Sequence, residues 1–217
     1  MNNSNDIINV FQPDLKRGSE VSAYAKKMGY GSNKRYFYVE KEGEFRVFMR
    51  ACCFIHLIGD RNPSNFIVVK NTDEDPSGRV WEPPKGQTEG KDGLRDPKMP
   101  LLKVLQENLA REVYEEAKIE SSALKKMRHT GLVLQGSEKD YPDNTYFQYH
   151  IFQAFIEPED FEKAKEKFAW YKEHPKVWAH LRKDNREKDD IAWFNPKKTK
   201  MYGSWSPSIV ALYLNNF

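Results

Sequence analysis

Four charged residues within a stretch of six are the part of this sequence best suited to chemistry. Arg111, Glu112, Glu115 and Glu116 fall in one predicted helix, and spacings of three and four residues place the glutamates on one side of it. Like charges at these spacings weaken a helix by roughly 0.2–0.5 kcal/mol per pair, so a chain that keeps them could need them for a cation. Ligands that are all oxygen suit Mg²⁺ or Mn²⁺. The alternative is a solvated acidic helix face.

A glycine loop upstream of this helix favours the cation-binding interpretation. It reads Trp81-Glu82-Pro83-Pro84-Lys85-Gly86, and its two prolines stiffen the backbone. Gly86 allows another group to approach the backbone closely, and its carbonyl could reach a metal. Lys85 is a compact cation suited to phosphate. The loop and the helix together predict a site for a metal-bound phosphate compound.

Apolar and β-branched runs predict the strands of the fold. The expected strands are Tyr36–Val39, Glu44–Phe48, Arg50–Ile58, Phe66–Lys70, Leu132–Leu134, Tyr146–Ile156 and Ile191–Phe194. The first two flank residues 41–43 and read as a hairpin. A short helix is expected near Glu20–Lys27. Because strands alternate with helices, we expect an α/β fold with its sheet sandwiched between helices.

Leu101–Lys118 has the clearest helical pattern in the chain. Four apolar residues recur at helical spacing and are expected to face a core: Leu102, Leu105, Leu109 and Val113. The stretch from Gln87 to Pro100 is rich in glycine and proline and is predicted to be loop. Ser206 followed by Pro207 predicts the start of a last helix over Ser208–Asn215.

The composition indicates a chain that can build a core. Its hydrophobic fraction is 39%, and a net charge of +3 is compatible with a polyanionic partner without requiring one. Cys52 and Cys53 are strand neighbours that point to opposite faces, so we expect no disulfide and a reducing compartment. The N-terminal stretch lacks the layout of a signal peptide, and no apolar run approaches the roughly 20 residues of a membrane span. These features predict a cytoplasmic protein that contacts no membrane.

The helix and loop together resemble the signature of the Nudix hydrolases, G-x5-E-x7-R-E-U-x-E-E-x-G-U, in which U is a bulky aliphatic residue. Gly86 matches the first glycine, Asp92 stands where the first glutamate belongs, and Ile119 matches the final apolar position. The resemblance covers roughly residues 48–217 and implies an α/β/α sandwich with a mixed central sheet. Residues 1–47 then form an N-terminal extension and hairpin, and residues 161–188 a basic helical insertion.

Three departures from the signature predict a reshaped loop. Between Asp92 and Arg111 lie 18 residues, where the signature has seven. Aspartate replaces the first glutamate, and Lys118 replaces the second glycine. These departures favour an alternative, a non-catalytic Nudix-like module that binds RNA or a nucleotide, whereas the intact glutamates favour an enzyme.

The resemblance also implies roles for the charged residues. Glu112 and Glu116 would be the main ligands of Mg²⁺ or Mn²⁺, with Glu115 as a further ligand and the Gly86 carbonyl assisting. The candidate catalytic residues are Glu112, Glu115 and Arg111, the last because it can orient Glu115. A later loop offers three candidates for a general base, with a surface charge as the alternative for each: Glu187, Asp189 and Asp190.

The Trp81–Gly86 loop looks like that of diadenosine tetraphosphate hydrolases, so a dinucleoside polyphosphate is the first candidate substrate. Messenger RNA decapping and diphosphoinositol polyphosphate hydrolysis are the alternatives within the family. Residues 161–188 interleave cations with aromatic residues, which could bind a nucleotide or RNA; the alternative is an amphipathic helix with aromatics in the core. The candidate substrate-binding residues are Trp81, Lys85, Lys165, Lys167 and Lys172. No obligate protein partner is evident.

Overall fold

The computed structural model describes residues 7–12, 15–17, 37–39, 46–72, 75–96 and 98–217. The helix predicted near Glu20–Lys27 and the turn predicted at residues 41–43 lie outside these ranges. Across the described ranges, no helix is both long enough and apolar enough to cross a membrane.

The regular elements alternate between strands and helices along the chain. They are β1 (Lys16–Arg17), β2 (Phe37–Val39), β3 (Arg46–Leu57), β4 (Ile67–Asn71), β5 (Trp81–Glu82), β6 (Lys85–Gln87), α1 (Gly90–Arg95), α2 (Leu101–Ala117), β7 (Lys125–Gly136), β8 (Thr145–Ile156), α3 (Pro158–Glu173), α4 (Pro175–His180), β9 (Lys188–Trp193) and α5 (Trp205–Leu214). Two 3₁₀ turns, Ser121–Ala123 and Lys183–Arg186, precede β7 and β9.

The main sheet is mixed, and β3 lies at its centre. β3 runs parallel to β8 along its whole length, from Arg46 opposite Thr145 to Leu57 opposite Ile156. β2 and β6 pair with β3 on its other side, both antiparallel, and β7 is antiparallel to β8. A second sheet has the order β5-β4-β9. The predicted central strand and mixed sheet are therefore confirmed.

Two apolar cores, one on each face of the main sheet, give the helix–sheet–helix layering. Val47 and Cys53 of β3 point into the core covered by α2 and α3, whereas Cys52 and Phe54 point into the core covered by α5. Both cysteines are free and buried, as their opposite directions predicted. A strand that is buried on both faces reads as a continuous apolar run, which is why β3 was recognisable in the sequence.

Helix α2 buries one apolar stripe, and the predicted stripe is wrong at one position. Leu105, Leu109 and Val113 are fully buried, but Leu102 is 41% exposed and Leu101 takes its place in the core. Leu101 lies four residues before Leu105, so it continues the i, i+4 row of the stripe, whereas Leu102 is rotated out of it.

The prediction of loop throughout residues 87–100 is also wrong, because α1 forms there. Its N-terminus is stabilised by a reciprocal capping box: Asp92 accepts a hydrogen bond from the Glu89 amide, and Glu89 accepts one from the Asp92 amide.

In α5 the N-cap is Ser204 instead of the predicted Ser206. The Ser206 hydroxyl instead donates to buried Glu82, 3.2 Å away.

Candidate active site

The glycine loop and helix α2 meet at Gly86. A β-carbon built on Gly86 would lie 2.1 Å from Cγ and 2.3 Å from Cδ of Glu112. Any other residue at this position would therefore push the Glu112 side chain away. The group that lies so close to Gly86 is thus the side chain of Glu112, one of the three signature glutamates.

The loop backbone also contacts Glu116. The Lys85 amide donates to Glu116 Oε2 at 2.9 Å. On the opposite edge of the same segment, the Cys53 amide donates to the Pro84 carbonyl and the Thr88 amide donates to the Met49 carbonyl. Gly86 lies midway between these two bonds and opposite Ala51, so its backbone groups also face β3. Because successive strand residues turn their backbone groups to opposite edges, the Lys85 carbonyl faces the same side as its amide, towards α2, and the Gly86 carbonyl faces β3.

A buried chain of ion pairs joins Glu116 to the loop. Lys188 Nζ lies 3.1 Å from Glu116 Oε1 and 2.5 Å from Glu82 Oε1, and it donates to Asn71 Oδ1. Glu82 Oε2 in turn pairs with Lys85 Nζ at 2.8 Å. Both carboxylates and the Lys188 side chain are at least 94% buried. A buried charge is costly unless paired, so this network fixes the loop on α2 and β9.

The charges in this network shift each other's pKa values. Burial alone would raise the pKa of Glu82, but Lys85 and Lys188 outweigh burial and bring it to about 2. For Glu116 burial wins over the attraction of Lys188, and its pKa is raised. Burial would lower the pKa of Lys188, but Glu116 and Glu82 raise it. Glu82 is thus the carboxylate that most firmly keeps its charge.

Arg111 forms the second ionic group of the site. Its guanidinium contacts Glu115 Oε2 at 2.6 Å and Glu112 Oε1 at 2.8 Å. The group has one cation for two carboxylates, whereas the network around Lys188 has two of each. Burial, together with Glu116 and Glu115, outweighs Arg111 and raises the pKa of Glu112 to about 8. The ionised form of Glu112 is therefore disfavoured in the absence of a further positive charge.

One cavity of about 390 Å³ brings the loop and two of the helix glutamates together. Its lining residues are Arg50, Asn71, Glu82, Lys85, Gly86, Gln87, Glu112, Glu116, Tyr149, Glu187, Lys188 and Tyr202. Of the three candidate bases, Glu187 lies on this cavity, whereas Asp189 pairs with Lys70 and Asp190 pairs with Lys172. Glu115 faces a different cavity, of about 650 Å³, with Arg111 and Asp92.

The three lysines proposed from helix α3 do not line the cavity with Glu112 and Glu116. Lys165 pairs with Glu162 at 3.2 Å, Lys167 lies 3.9 Å from Glu120, and Lys172 pairs with Asp190 at 3.1 Å. On the opposite side of α3, Phe161 and Phe168 are buried in the core. For this helix the amphipathic alternative describes the observed packing.

Trp81 lies in β5, where its backbone bonds to Lys200 and Tyr202.

Asp92, which stands at the first signature glutamate, has a structural partner of its own. Beyond its role in the capping box of α1, Asp92 Oδ2 accepts a hydrogen bond from Asn108 Nδ2 at 3.0 Å. Asp92 thus attaches α1, whose last three residues begin the inserted stretch, to α2. Asp92 also lines the cavity that contains Arg111 and Glu115.

Lys118, in place of the second signature glycine, ends helix α2 in the left-handed region, at φ 60°. Glycine is favoured in this conformation because it has no β-carbon. The side chain reaches back to donate to the carbonyls of Glu115 and Asn185. Its ammonium lies 5.7 Å from the Phe168 ring and 5.9 Å from the Trp178 ring. The long side chain therefore fills a defined place beside the site.

The sequence did not single out Glu82 or Lys188 as site residues. Lys188 falls in the run Arg186-Glu187-Lys188, which reads as solvated, and its partner Glu82 is 106 residues away. The only available signal was that Glu82 lies within the glycine loop, next to the two prolines. Arg50 was missed because it belongs to an apolar strand; its guanidinium donates to the Tyr149 hydroxyl at 2.9 Å.

The carboxylates fit a divalent cation in donor type and in charge. In the ranges that the structure describes, no three histidine, cysteine or acidic side chains converge as a ready-made cation site. Glu112 and Glu116 nevertheless face one cavity, and a cation there would favour the ionised form of Glu112, which burial disfavours. Carboxylate and carbonyl oxygens are the ligands that Mg²⁺ and Mn²⁺ prefer.

Several solved structures match this chain over most of its length. A NUDIX hydrolase from Nitrosomonas europaea matches with a TM-score of 0.43 and 12% identity, over 78% of this chain and 89% of its own. A C. elegans Ap4A hydrolase in a binary complex matches at 0.37 and 15%, over 79% and 98%. A bifunctional NMN adenylyltransferase/ADP ribose pyrophosphatase from Francisella tularensis matches at 0.38 and 12%, over 77% and 40%. No family profile and no curated protein matches the sequence.

Proposed function

We propose that this chain is a Nudix-type hydrolase that cleaves a phosphoanhydride bond in a nucleoside-diphosphate-linked substrate with the help of Mg²⁺ or Mn²⁺. The observation that carries the proposal is the contact between the glycine loop and the signature helix. Gly86 lies directly against Glu112, and the Lys85 amide binds Glu116, so both glutamates face the cavity that the loop lines. Residues 48–217 would form the catalytic domain.

The contacts of the charged residues support a role for each of them in the proposed reaction. Glu112 and Glu116 would hold the cation, and the carbonyl of Lys85, whose amide binds Glu116, would assist. When bound, the metal would neutralise phosphate oxygens and lower the pKa of a water molecule. Arg111 contacts both Glu112 and Glu115 and would position them. Glu187, the acidic residue of the later loop that lines this cavity, would accept a proton.

The substrate class is proposed from the lining of the cavity and from the glycine loop. Arg50, Lys85 and Lys188 line the cavity, each paired with a carboxylate, together with the aromatic Tyr149 and Tyr202. The first candidate remains a dinucleoside polyphosphate such as diadenosine tetraphosphate, because of the Trp81–Gly86 loop. Decapping of mRNA and hydrolysis of diphosphoinositol polyphosphates use the same signature and are the alternatives. The cytoplasmic location stays a prediction.

A substrate panel tests the proposal. The purified chain would be incubated with Mg²⁺ and diadenosine tetraphosphate, capped RNA or a diphosphoinositol polyphosphate, and the products would be separated by anion-exchange chromatography. We expect cleavage of diadenosine tetraphosphate, loss of cleavage in Glu112→Gln, and full activity in Glu166→Gln, a matched change on the exposed side of α3. If the wild-type chain cleaves none of the three, the enzyme proposal fails.

One observation favours a second function, a non-catalytic module that binds RNA or a nucleotide. Both oxygens of Glu116 already have partners, namely the ammonium of Lys188 and the amide of Lys85. An ammonium at this carboxylate could replace a metal and leave a cationic pocket that binds phosphate without cleaving it. Tight binding of the same three compounds without turnover, equal with Mg²⁺ and with chelator, would establish this alternative.

A further inference from the structure

A second cavity adjoins the proposed active site. It has a volume of about 550 Å³ and is lined by Asn71, Thr72, Trp178, Lys183, Arg186 and Glu187. Asn71 and Glu187 line both cavities, so the two spaces share a wall. The volume falls within the roughly 300–1,000 Å³ of small-molecule sites.

The wall of the second cavity is held in place by contacts that the fold provides. The 3₁₀ turn Lys183–Arg186 receives a hydrogen bond from Lys118 Nζ to the Asn185 carbonyl, at 2.6 Å. On the other side, the amide and the hydroxyl of Thr72 donate to the Glu187 carbonyl at 3.0 Å and 3.2 Å. Lys118 is itself buried, and its ammonium lies over the Trp178 ring. Buried Lys118 therefore fixes the cation-bearing turn relative to the indole.

The chemistry of this wall suits a nucleoside phosphate. Lys165 and Lys172 are neutralised by neighbouring acids, but within the described ranges no acidic group lies at ion-pair distance from Lys183 or Arg186. Two such cations can bind phosphate oxygens, and an indole beside them can stack on a base. The arrangement differs from a uniformly basic surface because one aromatic ring, two cations and the single carboxylate of Glu187 share one concave space.

We propose that this cavity binds the distal nucleoside phosphate of the substrate, while the phosphate chain lies in the cavity of Glu112 and Glu116. The inference rests on the proposed function, because it assigns the second half of a dinucleoside polyphosphate. Trp178 would stack on the base, and Lys183 and Arg186 would contact the adjoining phosphates. Within residues 161–188, the substrate contacts then come from the end of the segment instead of from the lysines of α3.

Calorimetric binding in the presence of chelator tests the site without needing turnover. The probes are diadenosine tetraphosphate and inorganic tripolyphosphate, which has phosphates but no nucleoside. Trp178→Leu should weaken binding of the dinucleotide roughly fivefold or more, and should leave tripolyphosphate within twofold. Lys183→Ala with Arg186→Ala should weaken both probes and flatten the salt dependence.

Matched variants control for charge and for the loss of an indole. Lys163→Ala with Lys176→Ala removes the same charge from exposed positions, and Trp170→Leu removes an exposed indole from α3; each should bind both probes like the wild type. If the cavity variants match these controls, the site is overturned. Capped RNA is titrated as a third probe; if Trp178→Leu weakens only its binding, the distal moiety is RNA and the dinucleotide proposal is overturned.

The two proposals fail separately. Cleavage of diadenosine tetraphosphate with an unchanged KM and unchanged binding in the cavity variants would overturn the second site and leave the enzyme intact. Binding that depends on Trp178 in a chain that cleaves nothing would support the site and overturn the enzyme.

Discussion

Gly86 and Glu112 are in such close contact that a β-carbon on the glycine would lie 2.1 Å from Cγ of the glutamate. We expect Gly86→Ala to lower the rate at saturating substrate by about 10²-fold, the scale of losing one group that stabilises the transition state. The Glu112 side chain, 18% exposed, can swing outwards, so the free energy of unfolding should fall much less. Turnover with Mg²⁺ and urea unfolding measure the two effects.

The neighbouring Gln87→Ala is the control for this change. Its side chain makes one long contact, 3.4 Å from Arg50 Nε, and its loss should change turnover by about twofold at most, in keeping with a single weak hydrogen bond. Wild-type turnover in a folded Gly86→Ala protein would show that the position of Glu112 does not matter for the reaction.

Removing Lys188 should destabilise the fold as well as the site. Lys188→Met would leave Glu82 and Glu116 buried without their shared cation, which typically costs about 3–5 kcal/mol. Glu116→Gln should cost less, because Lys188 keeps Glu82 and Asn71 as partners. Urea unfolding of both variants and of Lys197→Met, an exposed control, gives the comparison. Equal stability of Lys188→Met and Lys197→Met would contradict the buried network.

Acid should weaken the fold through His150. Burial, with a contribution from His129, lowers the pKa of His150 from 6.5 to about 3. Between these values the unfolded chain binds the proton and the folded chain does not, so the free energy of unfolding falls as the pH falls below 6.5. The loss approaches about 1.4 kcal/mol per pH unit for one such group.

Unfolding in urea at pH 7.5 and pH 5 would measure the effect of His150. The wild type and the exposed control His180→Gln should lose stability between the two values, and His150→Gln should lose about 1–2 kcal/mol less. An identical pH dependence in all three proteins would show that His150 is not responsible.

Lys118 allows the backbone and side-chain effects to be separated. Lys118→Ala removes the bonds to Glu115 and Asn185 but keeps a β-carbon at φ 60°. Lys118→Gly removes the same bonds and relieves the left-handed conformation, so it should be more stable than Lys118→Ala by roughly 1–2 kcal/mol. Thermal unfolding of the two variants provides the test. An alanine variant at least as stable as the glycine variant would contradict the left-handed end of α2.

The sequence predicted the parts of the fold that depend on local patterns. The central strand was evident because β3 is apolar on both faces, and α2 because its leucines recur at helical spacing. The signature residues Glu112 and Glu116 could be placed beside Gly86 because the family resemblance joins segments that are far apart in the chain. Helix α1 escaped prediction because glycine and proline around it outweighed a capping box of two acidic side chains.

The ion pairs of the site could not be predicted, for a physical reason. Lys188 and Glu82 carry no local pattern, and their pairing appears only when β9 and β5 flank β4 in the second sheet. The positions of Lys183 and Arg186 could not be predicted either. They lie apart from the lysines of α3 because α3 ends at Glu173 and a separate helix begins at Pro175. A charged residue reads as solvated in a sequence until the fold shows what it faces.

The dependence of diadenosine tetraphosphate hydrolysis on Mg²⁺ tests the central claim most directly. Initial rates would be measured across a Mg²⁺ titration in metal-depleted protein, for the wild type and for Glu112→Gln. We predict no turnover in excess chelator, full recovery on adding Mg²⁺ or Mn²⁺, and a maximal rate about 10²-fold lower in Glu112→Gln. Full wild-type turnover in excess chelator would contradict a metal site at Glu112 and Glu116.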